Sequence, residues 1–167
     1  MSKKQHLIFT QSYFYPDHSA GSQMLSDLAF NLVQNGFQVS VITSRNRYGN
    51  KEISLPKFEI VNNVRVYRKW SSKFGRRYFI GRIIDYLSLE LSMLVGIMRL
   101  TKKNDIVVIL TDPPLLNILA SPLIKFRGGI IVNWLQDLFP EVAVGAGILL
   151  QESLLNKFII KIRNNSL

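Results

Sequence analysis

The run Ile130-Ile131-Val132-Asn133-Trp134-Leu135, followed at once by Gln136-Asp137-Leu138-Phe139-Pro140-Glu141, decides how this chain folds. Its first part is short, β-branched and free of charge, which is the pattern of a strand buried on both faces of a parallel sheet. Its second part delivers an amide and two carboxylates where that strand stops. In open parallel α/β sheets chemistry gathers beyond the carboxyl ends of the strands. Asp137 and Glu141 therefore stand as candidate site residues, with Pro140 preset for the first turn of a helix. A plain turn or helix-capping role for Asp137 stays open beside this.

Working outward, four more strand patterns precede this one: Leu7 to Thr10, Gln38 to Thr43, Val64 to Tyr67 and Asp105 to Leu110. Helical patterns lie between most of them, so the chain reads as βαβ units and a mostly parallel, Rossmann-like α/β sheet with flanking helices. The first helix is expected from about Ser22 to Asn35, where Met24, Leu25, Leu28, Ala29, Leu32 and Val33 recur at helical spacing and Gly36 supplies the stop. Asn62-Asn63 reads as a hairpin turn joining 58–61 to 64–67. A long helix is expected from about Gly81 to Thr101, with Ile80, Ile83, Ile84, Leu87, Leu91, Leu94, Val95 and Met98 on one side and Asp85, Ser88, Ser92 and Arg99 opposite. Glu90 falls in the apolar sector of that helix. A buried carboxylate needs a partner, and pairing with an Arg at the core edge is the expectation. Asp85 and Glu90 also interrupt the apolar run, which is below the roughly 20 residues a bilayer span requires. Asp112 ends the fourth strand, and Pro113-Pro114 preset a helix from Leu115 to about Phe126. A last amphipathic helix is read from Glu152 to Arg163.

Composition limits the chemistry. At 167 residues and 47% hydrophobic the chain holds one domain's worth of core, and no low-complexity stretch divides it. It has no cysteine and its histidines are His6 and His18, so thiolate and histidine-rich metal sites are excluded and no metal is expected. The apolar part of the basic N-terminus is too short for a signal peptide. The loop Ser12 to Ser22 lies between the first strand and first helix, where Asp17, His18, Gly21 and Ser22 could meet a phosphate or sugar. It contains neither a dinucleotide fingerprint nor a P-loop, which disfavours hydride transfer and NTP hydrolysis. A bare turn role for Gly21 remains open. Arg45 lies in the polar loop after the second strand.

A net charge of +10 calls for a polyanionic neighbour. Arg65, Arg68, Lys69, Lys73, Arg76, Arg77 and Arg82 are interleaved with Tyr67, Trp70, Phe74, Tyr78 and Phe79, a mixture suited to an anionic membrane surface. Lys73, Arg76, Arg77, Trp70 and Phe74 are the residues expected to make that contact. A solvated basic loop, or stacking on single-stranded nucleic acid, would use the same residues. No nucleic-acid motif accompanies them, and nucleic acid is not expected as a partner.

Three segments taken in order, FTQSYFYPDHSAGSQMLSDLAFNLVQNGFQVSVITS from Phe9, DIVVILTDPPLL from Asp105 and VNWLQDLFPEVAV from Val132, resemble the N-terminal domain of glycosyltransferase family 4 enzymes of the bacterial polysaccharide type. The resemblance covers nearly the whole chain. It implies one half of a GT-B fold, in which this half holds an acceptor such as a lipid-linked sugar at the cytoplasmic face of the inner membrane and a donor-binding half holds the sugar nucleotide. It further implies that Gly21 lies near the donor diphosphate, that Gln136 and Asp137 contact the transferred sugar, and that transfer retains configuration with no cofactor and no metal. Many members have His where this chain has Gln136, and an amide hydrogen-bonds a hydroxyl without acting as a base. Asp137 is thus the expected catalytic or orienting carboxylate, with Glu141 beside it. The donor-binding half is not in the sequence, so this chain alone is expected to be inactive, as a truncation or a natural half-enzyme whose donor domain acts in cis or in trans. A non-catalytic membrane-anchoring subunit that recruits a separate donor-binding chain is the alternative, and a nucleic-acid-binding module a weaker one.

Overall fold

A computed structural model describes residues 4–50, 52–74 and 79–136. The proposed site residues Asp137 and Glu141, the membrane residues Arg76 and Arg77, and the expected helix 152–163 lie outside the described residues. The described part is α/β: β1 (His6–Thr10), α1 (Ala20–Gln34), β2 (Gln38–Ser44), β3 (Phe58–Val61), β4 (Val64–Lys69), α2 (Phe79–Leu100), β5 (Ile106–Leu110), α3 (Leu116–Phe126) and β6 (Ile130–Trp134). Its six strands form one sheet in the order β3-β4-β2-β1-β5-β6. Every pairing is parallel except β3 with β4. This is a Rossmann-like arrangement, and the order reverses at β1, which has β2 on one side and β5 on the other.

Side-chain alternation along the central strands divides the core into two layers. Ile8, Ile42, Val107 and Ile109 pack with Leu89, Met93 and Ile97 of α2 and with Leu116, Ala120 and Ile124 of α3. Their neighbours Phe9, Val41, Val108 and Leu110 pack with Leu25 and Ala29 of α1 on the opposite face. Both faces of these central strands are covered, which is why they read as unbroken apolar runs; β6 departs from the expected burial on both faces, since it ends the strand order among the described residues and leaves Ile130 and Val132 exposed. The β3–β4 hairpin turns at Asn62 and Asn63, with φ of 47° and 65°. Positive φ at both central residues of a two-residue loop matches the strand twist, and Asn tolerates it better than most residues.

The α1 start lies earlier than expected, because Ser19 caps the helix by accepting the Ser22 N–H on its Oγ at 3.3 Å. The larger difference concerns α2. Its apolar sector was expected to pack inward, yet Ile80, Ile83, Ile84, Leu87, Leu91 and Val95 are all exposed. The side that turns inward carries Asp85, Leu89, Glu90, Met93 and Ile97. The cause is the backbone of the segment after β4. Asp85 Oδ1 accepts from the Ser72 hydroxyl at 2.6 Å and the Phe74 N–H at 3.0 Å, and Ser88 Oγ accepts the Ser72 N–H at 2.9 Å. Ser92 Oγ donates to the Trp70 carbonyl. Irregular backbone packed against a helix must find polar partners, and this stripe of small polar side chains supplies them.

Candidate site at the carboxyl ends of the strands

The strand ends form a polar mouth. β1 runs into Gln11 and Ser12, β2 into Ser44, Arg45 and Asn46, β4 into Trp70 and Ser71, and β5 into Thr111 and Asp112. Two latches join these ends. Ser12 gives its N–H to the Asp112 carbonyl at 3.0 Å and its hydroxyl to Asp112 Oδ1 at 2.8 Å, closing β1 onto β5. The Ser44 N–H and the Thr43 hydroxyl both donate to the Ser12 carbonyl, each at 3.1 Å, closing β1 onto β2.

Between the β1, β2 and β4 ends and the start of α2 lies a pocket lined by Ser12, Tyr13, Ser44, Asn46, Ser71, Arg82, Asp85, Tyr86 and Leu89. Its floor is hydroxyl and amide: Asn46 Nδ2 donates to Ser71 Oγ at 2.8 Å, and Ser44 Oγ accepts the Asn46 N–H at 3.0 Å. Arg82 brings a cation to it. Such a lining matches the alternating donors and acceptors of a polyol together with an anionic group.

The sequence-derived candidates separate into groups once placed. Gly21 sits in the first turn of α1, where an added Cβ would overlap Gln11 Nε2 and lie 3.5 Å from Gln136 Oε1. The first helix, the end of β1 and the end of β6 therefore converge on this glycine, which puts Gly21 and Gln136 in one neighbourhood. Asp17 is buried and acts as a strut: its Oδ1 accepts the Tyr48 N–H at 3.1 Å and faces Arg47 Nε at 3.5 Å. Ser22 is also buried, its hydroxyl donating to the Asp17 carbonyl at 3.0 Å. Arg45 gives its Nε to the Leu55 carbonyl at 3.0 Å, holding the loop after β2 rather than reaching the pocket. His18 is exposed, with its carbonyl accepting from Gln23 Nε2 at 2.9 Å. Of the basic, aromatic segment, Trp70, Lys73 and Phe74 are exposed, whereas Arg68 is buried and engaged by Glu59 and the Tyr15 carbonyl.

Two polar residues of the mouth have no counterpart among the motif residues. Gln11 is buried beside Gly21, and its Oε1 has no hydrogen-bond partner among the described residues. The polar tripeptide Thr10-Gln11-Ser12, ending an apolar strand, is its sequence signal. Glu90 is the second. The expected Arg partner is absent among the described residues. Instead Glu90 Oε1 accepts the Leu115 N–H at 3.1 Å, while Oε2 is buried without a partner. Leu115 precedes α3 and offers no side-chain cap, so a carboxylate from the neighbouring helix takes over one orphan donor. Burial pushes the Glu90 carboxyl above its ordinary range; the Leu115 N–H opposes this and the Asp112 carboxylate adds to it.

Among the described residues no group of three or more His, Asp or Glu is placed to hold a metal ion, and no helix is long and apolar enough to cross a membrane. Neither the protein-family models nor the curated proteins give a match to this chain.

Proposed function

We propose that the chain is the acceptor-side half of a membrane-associated glycosyltransferase of the family 4, GT-B type, receiving a lipid-linked saccharide in polysaccharide assembly. A donor-binding domain, in cis or in trans, supplies the sugar nucleotide. The observation that carries this reading is the pocket at the sheet mouth, lined by Ser12, Ser44, Asn46 and Ser71, whose hydroxyls and amide could meet a sugar, and by Arg82, whose cation could meet a phosphate. The neighbourhood of Gly21, Gln11 and Gln136 lies at the α1 and β6 side of the same mouth and would face the donor. Asp137, next along the chain, is the carboxylate assigned to orient or assist transfer, with Glu141 following.

Titration calorimetry in detergent micelles tests the acceptor half of this reading. A short-chain prenyl diphosphate bearing one sugar should bind, and the matching prenyl alcohol should not. Arg82→Gln, which removes an exposed cation, should weaken binding on the order of tenfold. Equal binding of the prenyl alcohol would refute a saccharide-diphosphate site.

A further inference from the structure

The opposite end of the sheet carries a second cavity. It encloses about 300 Å³ beside the last turn of α2, at the amino ends of β1, β2 and β4, within the range of roughly 300–1,000 Å³ typical of small-ligand pockets. Four cations from separate places in the chain line it: Lys4 before β1, Arg65 on β4, Arg99 in the last turn of α2 and Lys102 just after that helix. All four are exposed, and none has a carboxylate partner among the described residues. Arg99 and Lys102 answer the negative end of the helix dipole, which amounts to about half a charge. Lys4 and Arg65 exceed that need.

The one carboxylate in the lining is already engaged. Asp105 Oδ2 accepts the Lys102 N–H at 2.9 Å and lies 2.9 Å from His6 Nδ1. A carboxylate only accepts, so the imidazole proton sits on Nδ1, and His6 Nε2 takes the Ser40 hydroxyl at 2.9 Å. The order Asp, His, Ser is that of a hydrolase triad, but Ser40 is 1% exposed, too deeply set to attack a ligand, so the array makes a floor and not a nucleophile. The Gln38 side-chain oxygen accepts from the Arg65 guanidinium, which aims that group without neutralising it. The excess of positive charge reaches Lys69 on β4, whose ammonium is held below its ordinary range by burial and then by the Arg99 charge.

We propose that this cavity binds a soluble anion carrying two or more linked phosphate groups. Lys and Arg side chains only donate hydrogen bonds, and guanidinium groups grip phosphate oxygens through paired bonds, so the lining suits a ligand rich in acceptor oxygens. A single phosphate would meet one or two of the cations. Linked phosphates span from Arg65 on the sheet to Arg99 and Lys102 at the end of α2 and relieve the repulsion among them. The site lies at the far end of the strands from the pocket assigned to the saccharide acceptor, and the inference goes beyond that reading.

The test is calorimetric titration of the full chain with inorganic tripolyphosphate, and with orthophosphate, at physiological ionic strength. Tripolyphosphate should bind more tightly than orthophosphate. Arg65→Gln and Arg99→Gln, at exposed positions that leave the core untouched, should each weaken it by about tenfold. Lys57→Gln removes the same charge beside the other end of β4 and should leave the affinity within about twofold. Failure of tripolyphosphate to bind, equal affinity for orthophosphate, or equal effects of all three variants overturns the proposal, the last because it reports only the attraction of a chain of net charge +10. A single-stranded oligonucleotide that displaces tripolyphosphate and binds more tightly through the same two arginines also overturns it, in favour of nucleic acid. The two histidines give an independent readout. The His6 imidazole resonance should move during the titration, while that of His18, in the loop at the carboxyl end of β1, should not. Movement of His18 alone would put the anion at the sheet mouth and overturn the assignment to this cavity. No prenyl or sugar group is present, so failure here leaves the micelle titration of the acceptor to stand or fall separately.

Discussion

Replacing Glu90 by Gln isolates a single buried charge. The amide keeps an oxygen where Glu90 Oε1 accepts the Leu115 N–H, so the link between α2 and the start of α3 survives. What disappears is the carboxylate whose Oε2 is buried without a partner among the described residues. Because burial raises the Glu90 pKa above its ordinary 4.5, the folded protein holds a proton that the unfolded chain has released. The protonated carboxyl's contribution to stability is complete below 4.5 and is lost as pH rises through the raised value. Across that window wild-type stability should fall relative to Glu90→Gln by up to about 1.4 kcal/mol for each pH unit, one proton's worth. Above it the difference levels off in favour of the amide. Urea titrations of both proteins at half-unit intervals from pH 4 to 8, followed by far-ultraviolet circular dichroism, give the difference directly, and other titrating groups cancel in it. A difference constant over the whole range would refute the assignment of Glu90 as a buried carboxyl, and a variant less stable than wild type at neutral pH would show that an unseen partner neutralises it.

Two other outcomes follow from the packing. Met93→Ala empties a fully buried position on α2 and should cost about 2–5 kcal/mol, whereas Leu91→Ala, two residues away and 62% exposed, should stay within about 0.5 kcal/mol; reversed values in chemical denaturation would invert the orientation assigned to the helix. Ser12→Ala removes the hydroxyl bond to Asp112 at 2.8 Å and should destabilise by about 1.5–3 kcal/mol in the same assay, the range for a hydrogen bond to a charged group; no change would show that Asp112 is held without it.

The parallel sheet was legible because buried strands leave a simple trace, short β-branched runs such as Ile106 to Leu110 with turn residues on either side. The hairpin was legible for the same local reason, since Asn62 and Asn63 are the residues that tolerate the backbone their turn requires. The orientation of α2 was not. A stripe of Asp, Ser and Ser on a helix looks solvent-facing in sequence, and only a nearby length of irregular backbone needing partners turned Asp85, Ser88 and Ser92 inward. The partner of Glu90 was hidden likewise, being a backbone N–H 25 residues away that no side-chain pattern announces. At the mouth, Gln11 was not legible as a neighbour of Gly21, because their closeness is made by the fold and not by any local residue pattern. Asp17 and Arg45 carried the right residue types for a site and are spent on holding loops.

The Ser12 latch has a consequence for traffic across the mouth. By donating through both N–H and hydroxyl to Asp112, Ser12 stitches shut the seam between β1 and β5, the crevice where an open sheet of this order ordinarily admits a ligand. The pocket that remains is displaced sideways, over β2 and β4 and beneath the first turns of α2. The seam thus divides the mouth into two neighbouring parts, the pocket on the β2 and β4 side and Gln136, which follows β6, on the other.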